Sequence, residues 1–191
     1  MTRLPAIDPD DARDPVAAEV FATSRAEGRT PILLYRVLAN SPVLLRAYAG
    51  LARALRYDAQ TPRGLRELVI LRVAQLVKSD YEWAHHRAMA AAAGVEDAKV
   101  RELAAWRESE RFDAAERAVL RAAEEIHAID LSDDAYAELE AALGVAASVE
   151  IIMLVGFYEC VARMIQALGL EVEPDHEAWL GMPAEPGDPA P

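Results

Sequence analysis

Glu82 and His86 stand four residues apart in the stretch SDYEWAHH, residues 79–86, which holds two of the chain's four histidines. On a helix this spacing sets carboxylate and imidazole on one stripe with Met89 and Ala93, and His85 on its flank. A carboxylate one turn from an imidazole orients the ring and raises its pKa, which is the equipment of a general acid–base pair. Glu67 offers a second carboxyl, between Ile70, Leu71 and Ala74 on a segment that is apolar almost all the way round. Buried there, it must be paired, hydrogen-bonded or neutral. Arg63, one turn earlier, is the plain salt-bridge partner, and a raised pKa in a pocket is the chemical alternative. Tyr81 is either a hydrogen-bond donor to a developing enolate or a half-buried packing residue.

The elements that must position these groups are helices. Ser79-x-x-Glu82 is a capping box, in which the hydroxyl accepts an early N–H and the glutamate reaches back. It predicts a helix from Ser79 to Ala93, stopped by Gly94. Before it the pattern predicts helices over Pro15 to Glu27, Pro31 to Ala39, Ser41 to Tyr57 and Pro62 to Val77. After it come Glu96 to Glu108, Asp113 to Ile129, Ser132 to Gly144, and a long apolar helix from Ala146 to Leu168 stopped by Gly169. No alternating strand pattern competes, so the fold class is all-α. Residues 1–14 read as an extended arm, 15–180 as a single helical domain, and 181–191, with four prolines, as a disordered tail. RELVILRVA at 66–74 echoes SVEIIMLVG at 148–156, but the Tyr-Glu pairs at 81–82 and 158–159 match only at another offset, so the repeat is weak.

Composition narrows the function classes. With 32 acidic against 20 basic residues the net charge is −12, and no basic patch offsets it, which excludes nucleic acid as the expected partner. The opening MTRLPAIDPDD has no apolar core for a secretory signal, and no apolar run is expected to span a bilayer, so a cytoplasmic location is expected. Cys160 is the sole cysteine, which rules out an intrachain disulfide and is read as a small buried residue.

Arg66-Glu67-Leu68-Val69-Ile70-Leu71-Arg72-Val73-Ala74, then Tyr81-Glu82-Trp83 and His86, then Ala93-Gly94-Val95, resemble the carboxymuconolactone decarboxylase family and its alkyl hydroperoxide reductase D-like superfamily. Phe112-x-x-x-Glu116-Arg117-Ala118-Val119-Leu120 and Val161-Ala162-Arg163 to Gly169 extend the resemblance over roughly residues 30–172. In that family's redox branch a glutamate precedes a Cys-x-x-Cys pair, and a histidine follows the second cysteine by four. The resemblance puts Glu67 at the glutamate, His86 at the histidine, and Ser79 and Glu82 at the two vacated cysteines. A helix N-terminus activates a thiol by lowering its pKa; a serine there forms no disulfide and a glutamate resolves none. Thiol peroxidase activity is therefore not expected.

The decarboxylase branch implies a small-molecule substrate, no cofactor, and a homo-oligomer. His86 would transfer the proton, Glu82 orient it, and Glu67 assist, while Arg63, Arg66, Arg72 or Arg87 grips a substrate carboxylate. The expected reaction is decarboxylation or isomerisation of a small organic acid or carbonyl compound. One alternative is a degenerate, non-catalytic oligomeric protein. Another is a di-iron site built from Glu82-x-x-His85 and Glu124-Glu125-Ile126-His127, with Glu67 and Glu150 as extra carboxylates, although Glu150 comes in the wrong chain order for a ferritin-like bundle. His127 and His176 read as solvated or interfacial, and Trp83, Trp106 and Trp179 as packing anchors.

Overall fold

The structure is a computed structural model and describes residues 2–185. In chain order it contains α1 (Pro15–Ala26), α2 (Leu33–Leu38), α3 (Pro42–Arg53), α4 (Arg63–Leu76), α5 (Asp80–Ala92), α6 (Asp97–Arg101), α7 (Ala114–His127), α8 (Asp133–Leu143) and α9 (Val145–Leu168). No strand occurs among the described residues, and the class is all-α.

The hub is α4, in which every residue from Arg66 to Gln75 is buried. It packs on α5, α7 and α9, and α8 closes the layer beside α7 and α9. Each fully buried Leu, Val or Ile there contributes about 1.5–3 kcal/mol. Two smaller clusters complete the core: Ala17, Phe21, Tyr35, Ala39 and Leu45 join α1 to α3, and Leu34, Val37, Tyr81, Val161, Ile165 and Leu170 bind α2 to α5 and α9.

The helix starts follow the sequence closely. Asp14 accepts the Val16 N–H at 2.8 Å, Ser132 caps α8, and Asp113 with Glu116 forms a reciprocal capping box on α7. Gly169 ends α9 in the left-handed conformation at φ 64°. Three expectations need correction. The helix expected over Glu96 to Glu108 stops at Arg101 and gives way to a 3-10 turn, Leu103–Ala105. Val100, Leu103 and Trp106, all buried, recur every third residue, a spacing that favours the tighter helix. Likewise, α3 ends in a π-helical turn, Ala54–Asp58, rather than running on as α-helix.

The third correction concerns α9. Its 24 residues are apolar and long enough to cross a membrane, contrary to the reading of the sequence. Ile151, Leu154, Val155, Tyr158 and Val161 are instead buried against the rest of the domain, as befits a core helix. Its outer face exposes Val145, Val149, Met153 and Cys160. Cys160 is thus exposed rather than buried.

Chain ends pack on this body. In the N-terminal arm, the Arg3 and Ile7 N–H groups donate to the Leu168 and Arg36 carbonyls. Of the tail expected to be disordered, residues 181–185 lie along α4, where Arg72 pairs with Glu185 and Met182 packs on the core. Residues 186–191 lie outside the described residues.

Candidate active site

Glu67, on α4, is fully buried, and its Oε2 is 2.8 Å from His86 Nδ1 on α5. Arg63, one turn before Glu67, holds the other oxygen, Oε1, as an ion pair at 2.5 Å. Burial pushes the Glu67 carboxyl up, but His86 and Arg63 together hold it below the usual carboxylate value. Burial also lowers the His86 pKa, with Glu67 acting against it. Arg63 is thus the countercharge of an ionised Glu67, and His86 is a neutral imidazole. An ionised carboxylate only accepts, so Nδ1–H of His86 donates and Nε2 is left as the proton acceptor. Tyr158 of α9 stands edge-on to the ring at 4.8 Å. The ion-pair reading of Glu67 holds, whereas the raised-pKa reading does not: its carboxyl is lowered and it lines neither cavity of this site.

Glu82 has a different fate from the one its capping motif implies. Its N–H does bond the Ser79 hydroxyl at 3.4 Å, but its carboxyl does not reach back. Both oxygens are buried without a hydrogen-bond partner, and burial pushes the carboxyl up to about 8. It is therefore a neutral carboxylic acid at neutral pH. The carboxylate that orients His86 is Glu67 from the neighbouring helix, which corrects the assignment of that task to Glu82.

Glu82 and His86 line a small cavity of about 30 Å³, together with Tyr48, Arg56, Tyr81, Tyr158 and the apolar Ile32, Leu34, Val161 and Ile165. That is room for a water molecule. Ile32, Tyr35, Arg56, His85 and Met89 also face a larger outer cavity of about 410 Å³ and form the wall between the two.

None of the four arginines singled out from sequence lines the inner cavity. Arg63 is bound to Glu67, Arg66 donates to the Leu55 and Ala59 carbonyls, Arg72 pairs with Glu124 and Glu185, and Arg87 pairs with Asp97. The cation that does is Arg56, buried, with Nη2 donating to the Tyr35 hydroxyl at 3.0 Å and Nε to the Ala52 carbonyl. It sits in the π-helical turn, a distortion that often marks functional positions. An α-helical reading of LARALRYD, residues 51–58, assigns the wrong face to it, which is why sequence reasoning missed it. Tyr81 does border the cavity, but its hydroxyl donates to Glu173 Oε1 at 2.9 Å and is not free for a substrate oxygen.

The di-iron grouping does not assemble. Glu124 is taken by Arg72, Trp106 and Arg107, Glu125 by Arg121 and Ser132, His127 by Glu159, and Glu150 by the N–H groups of Gln60 and Thr61. His176 is half-buried and stacks on His85, with 3.8 Å between ring centres. Trp83 and Trp106 are buried as packing anchors, while Trp179 lies under the Arg87 guanidinium at 5.7 Å.

Residues 42–125, which span α3 to α7 and carry Arg56, Glu67, Glu82 and His86, match the family model of the carboxymuconolactone decarboxylase family. Over that segment the chain is similar to the carboxymuconolactone decarboxylase family. Among solved structures, the debrominase Bmp8, determined as a cysteine-to-alanine variant with 2,3,4-tribromopyrrole, is 21% identical with a TM-score of 0.80, over 94% of this chain and 96% of that one. An uncharacterized peroxidase-related protein from Ralstonia eutropha JMP134, an alkylhydroperoxidase AhpD core, is 17% identical with a TM-score of 0.77, over 92% and 94%. A protein of unknown function from Agrobacterium tumefaciens, described as a putative antioxidant defence protein AhpD, is 20% identical with a TM-score of 0.66, over 71% and 94%. These likenesses show a shared fold. No curated protein matches the chain.

The chain has one thiol, Cys160, exposed on α9, and Ser79 and Glu82 at the start of α5. Peroxide consumption with dithiol donors is expected at the uncatalysed rate, and Cys160→Ala is expected to leave it unchanged in a coupled assay.

Proposed function

We propose that the chain is a carboxymuconolactone decarboxylase family protein performing cofactor-independent proton transfer, a decarboxylation or isomerisation, on a small organic acid or enolisable carbonyl compound. The observation that carries the reading is the meeting of a neutral acid, Glu82, and a neutral, carboxylate-oriented base, His86, on one cavity. Two groups whose surroundings push them into opposite proton-transfer tasks are the usual signature of acid–base catalysis.

In this mechanism Nε2 of His86 takes a proton, and the Glu67 carboxylate stabilises the imidazolium that forms. Glu82 delivers its proton to the developing enolate oxygen or to the carbon that loses carbon dioxide. Arg56 holds the substrate's carboxylate or enolate, and the ring faces of Tyr48 and Tyr158 exclude water. The inner cavity has room only for a water molecule, so the substrate enters from the outer cavity as the flexible Met89 side chain turns aside. Ser79 acts as a helix cap rather than as a reactive group.

On this reading the protein acts in the cytoplasm as a homo-oligomer. The assembly is supported by the four-residue spacing of exposed Val145, Val149 and Met153 along α9, with Val43 and Leu44 also exposed. Such a stripe would be covered by a second copy.

The test is deuterium uptake from heavy water into a panel of small keto acids and enolisable carbonyl compounds, followed by NMR. Wild type is expected to exchange or turn over at least one member. Arg56→Lys is expected to raise the apparent KM about ten- to a hundredfold with a smaller change in kcat, because a planar two-pronged donor is replaced by a point charge. Absence of exchange across the panel, or an Arg56→Lys variant indistinguishable from wild type, contradicts the reading.

A further inference from the structure

A second group of ligating side chains lies on the outer cavity and takes no part in the proton transfer above. His85 from α5 meets Glu173 and His176 from the segment after α9. His85 Nε2 is 2.7 Å from Glu173 Oε2, and the two imidazoles stack with 3.8 Å between ring centres and planes 25° apart. Joint ligation of an ion therefore requires the half-buried His176 ring to rotate out of the stack and aim its lone pair at the ion. One ligand atom from each residue falls within a sphere where all lie within 4.8 Å of one another.

We propose that His85, Glu173 and His176 bind one divalent transition-metal ion, with zinc the best match. Two imidazoles and one carboxylate are a common three-ligand set for zinc, with metal–nitrogen distances of about 2.0–2.1 Å and a fourth position left for water or substrate. Here the three residues all line the outer cavity, toward which that position opens.

The surroundings of the ligands strengthen the assignment. Glu173 Oε1 is committed to the Tyr81 hydroxyl at 2.9 Å and the Leu33 N–H at 2.7 Å, which fixes the carboxylate and turns Oε2 toward the histidines. His176 Nδ1 is 3.0 Å from Asp175 Oδ1, so Nδ1–H donates there and Nε2 remains for a metal. A carboxylate or hydroxyl behind a ligating group, as Tyr81 and Asp175 are here, sets its tautomer and aim. Binding replaces the proton shared by His85 Nε2 and Glu173 Oε2 with the cation, and that proton leaves to solvent. The site shares no residue with Glu67, Glu82 and His86, so it stands or falls independently of the acid–base reading.

The experiment is calorimetric titration of chelator-treated full-length protein with zinc chloride, repeated with cobalt(II) to read ligand-field bands in the visible spectrum. One ion per chain is expected. His176→Ala is expected to abolish the ligand-field bands and weaken zinc binding by more than about a hundredfold, and Asp175→Ala to weaken it about tenfold. Residues 175 and 176 lie in a short 3-10 turn near the surface, so both variants are expected to keep the wild-type circular dichroism. Glu82→Gln, which alters the inner cavity alone, is expected to bind zinc as wild type does. No stoichiometric binding, or binding that His176→Ala and Asp175→Ala leave unchanged, overturns the proposal.

Discussion

Glu82→Gln is expected to lower turnover by about a hundred- to ten-thousandfold, the usual contribution of a positioned general acid, while raising stability at neutral pH. The two effects share one cause. The Glu82 carboxyl is buried with both oxygens unpartnered, and burial lifts it from 4.5 to about 8. Between those values the folded chain keeps a proton that the unfolded chain has released. Stability contributed by this group is therefore full below about 4.5, falls as pH rises, and levels off above about 8. A shift of this size corresponds to several kcal/mol, an upper figure for a site that relaxes on ionisation. Glutamine keeps the shape without the titration, so the variant's denaturation midpoint should be nearly flat across that window where wild type declines. A wild-type profile with no decline, or a variant that keeps full turnover, would show that Glu82 is an ordinary ionised side chain.

Glu67→Ala is the second large effect, of the opposite sign. It strips the partner from Arg63 and from His86 together and leaves a cation beside a cavity in the most buried helix. Breaking a buried pair in this way costs about 3–5 kcal/mol, or roughly 10 °C in melting temperature for a chain of this size. Glu67→Gln should lose less, since its amide oxygen still accepts the His86 Nδ1–H. Turnover should fall in both, because the ring loses the anion that fixes its tautomer and stabilises its protonated form. The pH dependence also distinguishes this residue from Glu82. The folded Glu67 carboxyl sits below its ordinary 4.5, so its contribution is complete above that value and disappears as pH falls through the lowered one. Thermal melts of both variants from acid to neutral pH separate the two carboxyls: Glu67→Ala should lose stability at neutral pH that Glu82→Gln gains.

The sequence carried the helices better than it carried the site. Caps such as Asp113 with Glu116 and stops such as Gly169 act over one turn, so their effect can be read locally. The breaks at Arg101 and Ala54 could not, because they answer to what Val100, Leu103 and Arg56 pack against. Glu67, Glu82 and His86 were legible as a set through their family spacing, and all three are buried side by side. Their division of labour was not. The four-residue interval between Glu82 and His86 suggested a pair, while the bond that forms, Glu67 to His86, crosses from α4 to α5. Glu173 and His176 had no local signal, since their meeting with His85 depends on how the chain returns after α9. Arg72 and Arg87 were singled out and Arg56 was not, because the place of Arg56 on the cavity depends on the π-helical turn while the other two turn to carboxylates elsewhere.

The central claim is that Glu82 is a neutral acid at the pH where the protein works. Infrared spectra of the folded protein at pH 7, wild type minus Glu82→Gln, test it without any substrate. A protonated carboxyl gives a carbonyl stretch that is present in wild type, absent in the variant, and lost as the pH passes about 8. A difference spectrum showing only carboxylate bands at pH 7, with the carbonyl stretch emerging near the ordinary glutamate value, would contradict the assignment and the mechanism built on it.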